Sequence, residues 1–306
     1  MQPRSPNRVA RARSYLMCAP DHFRVEYAIN PWMDPGSAVD VALADAQWRR
    51  LRDVLRGLGH GVELAAAQPG LPDMVFTANA AIVIDERVLV ATFRHPERAG
   101  ESLLFEQWFH ARGYRQVRRA RGANEGEGDH LLVDGLILAG HGLRTERDSH
   151  HETSSYFGRR VEGLTLVDPR YYHLDTALAV LNEREIMYYP GAFSDESLAR
   201  LRALFPDAIE ADDADAAVFG LNAISDGRHV VLPVAASHLA RRLAERGFEP
   251  IGVELGELLK AGGGPKCCVL ELRGVVRQQG ARLVGAGAGD RDRGRGERRG
   301  RPVLPV

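Results

Sequence analysis

A hairpin signal recurs along this chain at nearly constant spacing, and it constrains the fold more than any other feature. Apolar runs flank short polar turns in AIVI-DE-RVLV, LLV-DG-LILA, ALAVL-NE-REIMYY and AIS-DG-RHVVLP. The turns fall at Asp85, Asp134, Asn182 and Asp226, separated by 49, 48 and 44 residues. Asp, Asn and Gly tolerate the positive φ that tight hairpins require. A helix is expected after each hairpin. Leu104, Trp108 and Ala111 share one face, and a weaker stretch runs from Ser149 to Phe157. Ser194 reads as an N-cap ahead of Leu198, Leu201 and Phe205, and Leu239 and Leu243 precede a C-terminal stop at Gly247. An N-terminal helix carries the stripe Ala44, Trp48, Leu51, Leu55 between the strands SYLMC (14–18) and GVEL (61–64).

These segments make five helix-bearing units, the first without its own hairpin. The late strand CVLEL can complete that unit by pairing with SYLMC, which closes the array into a ring and removes its open sheet edges. The expected fold is therefore an α/β propeller of five ββαβ units around a central site. The alternative, a doubly wound sheet, lacks a G-x-G-x-x-G opening a helix after a strand.

Ring closure gives the polar motifs a common place, because each stands just upstream of a hairpin turn. LPDMVFTAN ends at Asn79, EGEGD at Asp129 and FGLN at Asn222, while YYHLDT carries His173 and Asp175. GGGPKCC, Gly262 to Cys268, supplies thiols at the mouth of the closing strand, with Cys268 expected to point away from Cys267 along it. A thiolate nucleophile, a histidine acid/base and clustered carboxylates suit a planar cation with many donors, and guanidinium is such a cation. Zinc is the competing reading for the same residue types, but no C-x-x-C or H-E-x-x-H spacing supports it.

Composition narrows the setting. Net charge is −1 and charged residues are 26% of 306, so nothing global points to nucleic acid or a membrane. No apolar run approaches the ~20 residues of a membrane span. Three cysteines, two of them adjacent, make no disulfide framework, which suggests a reducing, cytoplasmic location. Residues 1–13 are expected as a basic extension, 14–273 as the single catalytic domain, and 274–306 as a disordered Gly/Arg-rich tail.

LPDMVFTAN, EGEGD, GLRT, HLDT and GGGPKC, in that order, resemble the guanidino-modifying pentein superfamily over roughly residues 14–273. The superfamily includes arginine deiminases, dimethylarginine dimethylaminohydrolases, amidinotransferases and arginine dihydrolases. The resemblance implies Cys267 as nucleophile and His173 as acid/base, with no cofactor and no metal. It implies that Asp175 and a glutamate of EGEGD, Glu125 in preference to Glu127, hold the guanidinium. Arg144 of GLRT is implied as the clamp on a substrate carboxylate, with Arg98 as a second. Asp73, Asn30 and Asn222 are implied as further binding residues. Deiminases and dimethylarginine hydrolases carry an acid where this chain has Asn79. CAPDHFRVEYAINPWM (18–33) together with that asparagine resembles the arginine dihydrolases, which convert arginine to ornithine, ammonia and carbon dioxide in two rounds. The expected function is thus a guanidine C–N hydrolase, foremost a dihydrolase, without a fused second domain and with a homo-oligomer allowed. The alternatives are dimethylarginine hydrolysis, deimination to citrulline, amidino transfer, or non-enzymatic binding of arginine-like ligands.

Overall fold

A computed structural model of the chain describes residues 8–274; residues 1–7 of the expected extension and 275–306 of the expected tail lie outside the described residues. Five three-stranded sheets follow one another, each with an inner hairpin strand antiparallel to the middle one and a third strand parallel to it. The second blade is Ala81–Ile84, Arg87–Val90 and Gln116–Arg119; the third is His130–Val133, Leu136–His141 and Val161–Thr165. The fourth is Leu178–Val180, Ile186–Tyr188 and Ile209–Glu210; the fifth is Ile224–Ser225, His229–Pro233 and Glu249–Val253. The first blade closes the ring as expected. Ser14–Cys18 pairs in parallel with Gly61–Ala65 and antiparallel with Leu270–Glu271, setting Tyr15 opposite Glu271.

The turn chemistry explains the hairpins. Asp85, Glu86, Asp134 and Gly135 all have positive φ, as does Gly227 after Asp226. The turn at Asn182 is wider, with Leu181 N–H reaching the Glu185 carbonyl at 2.8 Å. Helix Val41–Gly57 buries Ala44, Trp48, Leu51 and Leu55 and is capped by Asp40, whose carboxylate accepts from Leu43 N–H. Helix Asp195–Leu204 starts on Ser194, and Gly247, at φ 84°, follows the last residues of helix Ser237–Glu245. Helix Ala99–Ala111 differs from expectation. It buries Phe105 and Phe109 with Val88 and Val90, while Leu104 and Trp108 sit at the margin and Ala111 is exposed. Two stripes one residue apart both satisfy an i, i+4 rule, and the larger rings take the core.

One other expectation changes. The cysteines stand in a turn ahead of Leu270–Glu271, with Cys268 N–H on the Pro265 carbonyl, so strand alternation does not orient them. The expected N-terminal extension is fastened to the blades from Arg8 onward. Arg8 pairs with Glu185 and lies over the Phe248 ring, and Arg13 pairs with Glu271 at 2.7 Å.

Candidate active site

Each blade offers one short turn immediately before its inner strand, and these turns meet. Asn79 ends in Thr77–Ala80, Glu125 caps Gly126–Asp129, and His173 caps Leu174–Ala177, which also holds Asp175. Asn222 precedes the inner strand of the fifth blade and Cys267 that of the first. Hydrogen bonds link neighbouring turns around the ring. Ala78 N–H donates to the Cys267 carbonyl at 3.1 Å, and Thr92 and Asn124 exchange backbone bonds at 3.0 and 2.9 Å. Leu174 N–H donates to Asp129 Oδ1 at 3.0 Å. Asn222 Nδ2 donates to the Asp175 carbonyl at 2.9 Å, and Asn222 Oδ1 accepts from Cys267 N–H at 3.2 Å. Close approach requires glycine at two of these positions. A Cβ on Gly128 would lie 2.3 Å from Asn79 Nδ2, and one on Gly126 2.8 Å from the Ala78 carbonyl.

Around the thiol, Asn222 Nδ2 donates to Cys267 Sγ at 3.1 Å, and Sγ lies 3.6 Å from Asp175 Oδ2. Asp175 Oδ1 is buried and has no hydrogen-bond partner among the described residues. Burial pushes the Asp175 carboxyl up to about 7, with Lys266 opposing. Burial, with Asp175 adding to it, also raises the Cys267 thiol well above its ordinary value. The free site therefore holds a neutral thiol beside a carboxyl poised to ionise, an arrangement that favours an incoming cation.

Around the imidazole, His173 Nε2 lies 2.7 Å from Glu125 Oε2 and Nδ1 lies 3.4 Å from Asn79 Nδ2. Burial alone would raise the Glu125 carboxyl, but Arg144 at 3.0 Å and the His173 hydrogen bond outweigh it and hold Glu125 ionised. Arg144 also donates to the Ile29 carbonyl at 2.9 Å and lies over the Tyr172 ring. Asp129 stands 4.0 Å from His173 Nε2, its carboxyl raised by burial to about 6. Asp129 and Tyr172 lie in motifs that the sequence marks but were given no role there. A signal was present for the first: four residues apart on a helical turn, Glu125 and Asp129 share a side that Glu127 does not.

The other expected residues divide. Glu127 is engaged within the protein, taking Lys266 at 3.0 Å and Arg273 on its two oxygens. Arg98 is engaged within the protein. Its guanidinium forks onto Glu101 at 2.8 Å twice and gives Nη1 to Asn79 Oδ1 at 2.7 Å, which leaves it poorly placed to clamp a substrate. Asp73 accepts from Tyr27 OH at 2.9 Å and lies 3.9 Å from Arg98. Asn30 is half-buried, bonded to the Ala261 carbonyl and Trp32 N–H. Away from these turns, Asp212, Asp215 and His238 approach within 4.8 Å of one another, the arrangement nearest to a cation site among the described residues.

The chain is 54% identical to a dimethylarginine dimethylaminohydrolase of Mycobacterium tuberculosis over 87% of each protein. It is 39% identical to a bifunctional arginine dihydrolase/ornithine cyclodeaminase of Nostoc, over 87% of this chain and 38% of that protein. The N-terminal domain of a cyanobacterial arginine dihydrolase, crystallised with its substrate, superposes with a TM-score of 0.82 at 36% identity, covering 85% of this chain and 98% of the domain. No protein-family model matches. Five blades with their polar turns on one axis, together with these relatives, show that the chain belongs to the guanidino-modifying pentein superfamily, among the hydrolases of C–N bonds other than peptide bonds.

Proposed function

We propose that the protein is an arginine dihydrolase in which Cys267 is the nucleophile and His173 the acid/base. The observation that carries the choice of substrate is the fixed amide of Asn79. Arg98 Nη1 occupies its Oδ1 at 2.7 Å, so the NH₂ end is the one turned toward His173. A donor at that wall can meet the oxygen of a neutral ureido group, as a second round of hydrolysis requires; a carboxylate cannot.

The chemistry follows from the groups in place. A bound guanidinium takes the unpartnered Asp175 oxygen and lowers the thiol pKa by its charge, with the Asn222 amide supporting the thiolate. Sulfur adds to the guanidinium carbon. His173, oriented by Glu125, protonates a terminal nitrogen, which leaves as ammonia. His173 then takes a proton from water, which adds to the same carbon and expels the thiolate, giving citrulline. A second addition at the ureido carbon, loss of a second ammonia and a second hydrolysis give a carbamate that decomposes to ornithine and carbon dioxide. Arg144 of the GLRT motif is the residue proposed for the substrate carboxylate, although Glu125 and the Ile29 carbonyl also engage it, with half-buried Asn30 as a further binding residue.

A second reading is dimethylarginine hydrolysis, favoured by the 54% identity to a protein of that name. Mass spectrometry of products from arginine, citrulline and dimethylarginine separates the two. Ornithine from arginine supports the dihydrolase. Dimethylamine released far faster than arginine is consumed overturns it.

A further inference from the structure

We infer that the protein binds a small planar oxyanion, of the class that contains bicarbonate, nitrate and formate, in a cavity beyond the Cys267 turn. Lys266 lines this cavity while the next residue, Cys267, faces the catalytic cluster. The cavity is about 50 Å³, room for a few waters or one small oxyanion. Its polar lining is Arg13, Tyr15, Ser225, Lys266, Glu271 and Arg273. The Ser225 hydroxyl is already spent on the Leu181 carbonyl at 2.6 Å.

Three cations here share two carboxylates. Glu271 takes Arg13 at 2.7 Å and Arg273 at 2.8 Å, and Glu127 takes Lys266 and Arg273. The next acid, Asp226, is turned to His229 at 2.7 Å and to the Arg228 and His229 N–H groups, with His60 at 3.6 Å. Two donors on residues lining this cavity remain unspent among the described residues. The Tyr15 hydroxyl, on a residue only 2% exposed, has no hydrogen-bond partner, and neither has the buried Arg13 Nε. Buried donors without partners are costly, and an anion would satisfy both. A guanidinium edge beside a hydroxyl matches a planar oxyanion better than a spherical ion. Burial and Arg13 bring Arg273 down to about 9.

The test is thermal unfolding of the full chain in sodium nitrate and in sodium bicarbonate, at constant ionic strength. A saturable rise in Tm of about 5–10 °C at a hundredfold excess over Kd is expected for wild type. Tyr15→Phe, which keeps the ring, should weaken binding about tenfold, and Arg13→Gln should abolish the rise. A nitrate soak should place the ion between Tyr15 and Arg13. No saturable rise, an equal rise in Tyr15→Phe, or water alone in the soaked cavity would overturn the inference. If Arg13→Gln fails to fold, the Tyr15→Phe titration and the soak decide.

Discussion

Replacing Asn79 with aspartate should stop the enzyme halfway. Asn79 Oδ1 accepts from Arg98 Nη1 at 2.7 Å, and the other end of the amide is 3.4 Å from His173 Nδ1. In Asn79→Asp one carboxylate oxygen keeps the Arg98 bond, and the second replaces the NH₂ facing the site. A guanidinium presents N–H groups to that wall, so the first round should survive. A ureido oxygen presents lone pairs, so a hydrogen bond is lost and two acceptors are opposed. That should cost roughly 2–4 kcal/mol in the second round, about 30- to 1,000-fold in rate. The assay supplies arginine and counts ornithine and citrulline separately. Citrulline should accumulate in the variant and not in wild type. A variant that still makes ornithine without citrulline build-up refutes the donor argument and leaves Asn79 a packing residue.

Three further outcomes follow from the geometry. Gly128→Ala should lower kcat about 100-fold with far-UV CD unchanged, because its Cβ would displace Asn79 and the His173 ring; unchanged kcat would show that the two side chains relocate without loss. Glu125→Gln should lower kcat and also destabilise, because it leaves buried Arg144 without its carboxylate, whereas Glu127→Gln should destabilise by roughly 3–5 kcal/mol through Lys266 and Arg273 and spare kcat; chemical denaturation and steady-state kinetics on both variants check the division. Burial holds Asp175 protonated below about pH 7, and a bound cation lowers that pKa, so arginine binding to Cys267→Ser should release a proton near about pH 6 and almost none above about pH 8. Calorimetry in buffers of different ionisation enthalpy reads the proton count, and uptake at about pH 6 would contradict the sign.

The ring was legible because its turns are chemically marked. Asp85, Asp134 and Gly227 need positive φ, and few residues supply it. The five site turns were legible as a set because they share one place in the repeat, just ahead of each inner strand. What the sequence hid depends on partners far along the chain. Arg98 looks like a free cation until Glu101 and Asn79 are seen on its fork, and Glu127 looks like a site acid until Lys266 and Arg273 close on it from about 140 residues away. The cysteines misled for a different reason. A short apolar run reads as strand from its start, whereas here the glycine turn continues through Cys268 before pairing begins at Leu270.

In the proposed mechanism the sulfur of Cys267 carries the substrate carbon. The direct measurement is peptide mapping by mass spectrometry after rapid quenching of the enzyme with arginine, repeated in His173→Gly to slow hydrolysis of the adduct. A substrate-derived mass on the peptide containing Lys266–Cys268, localised by fragmentation to Cys267 and absent in Cys267→Ser, is the predicted result. An adduct on Cys268 or Cys18, or full turnover by Cys267→Ser, contradicts it.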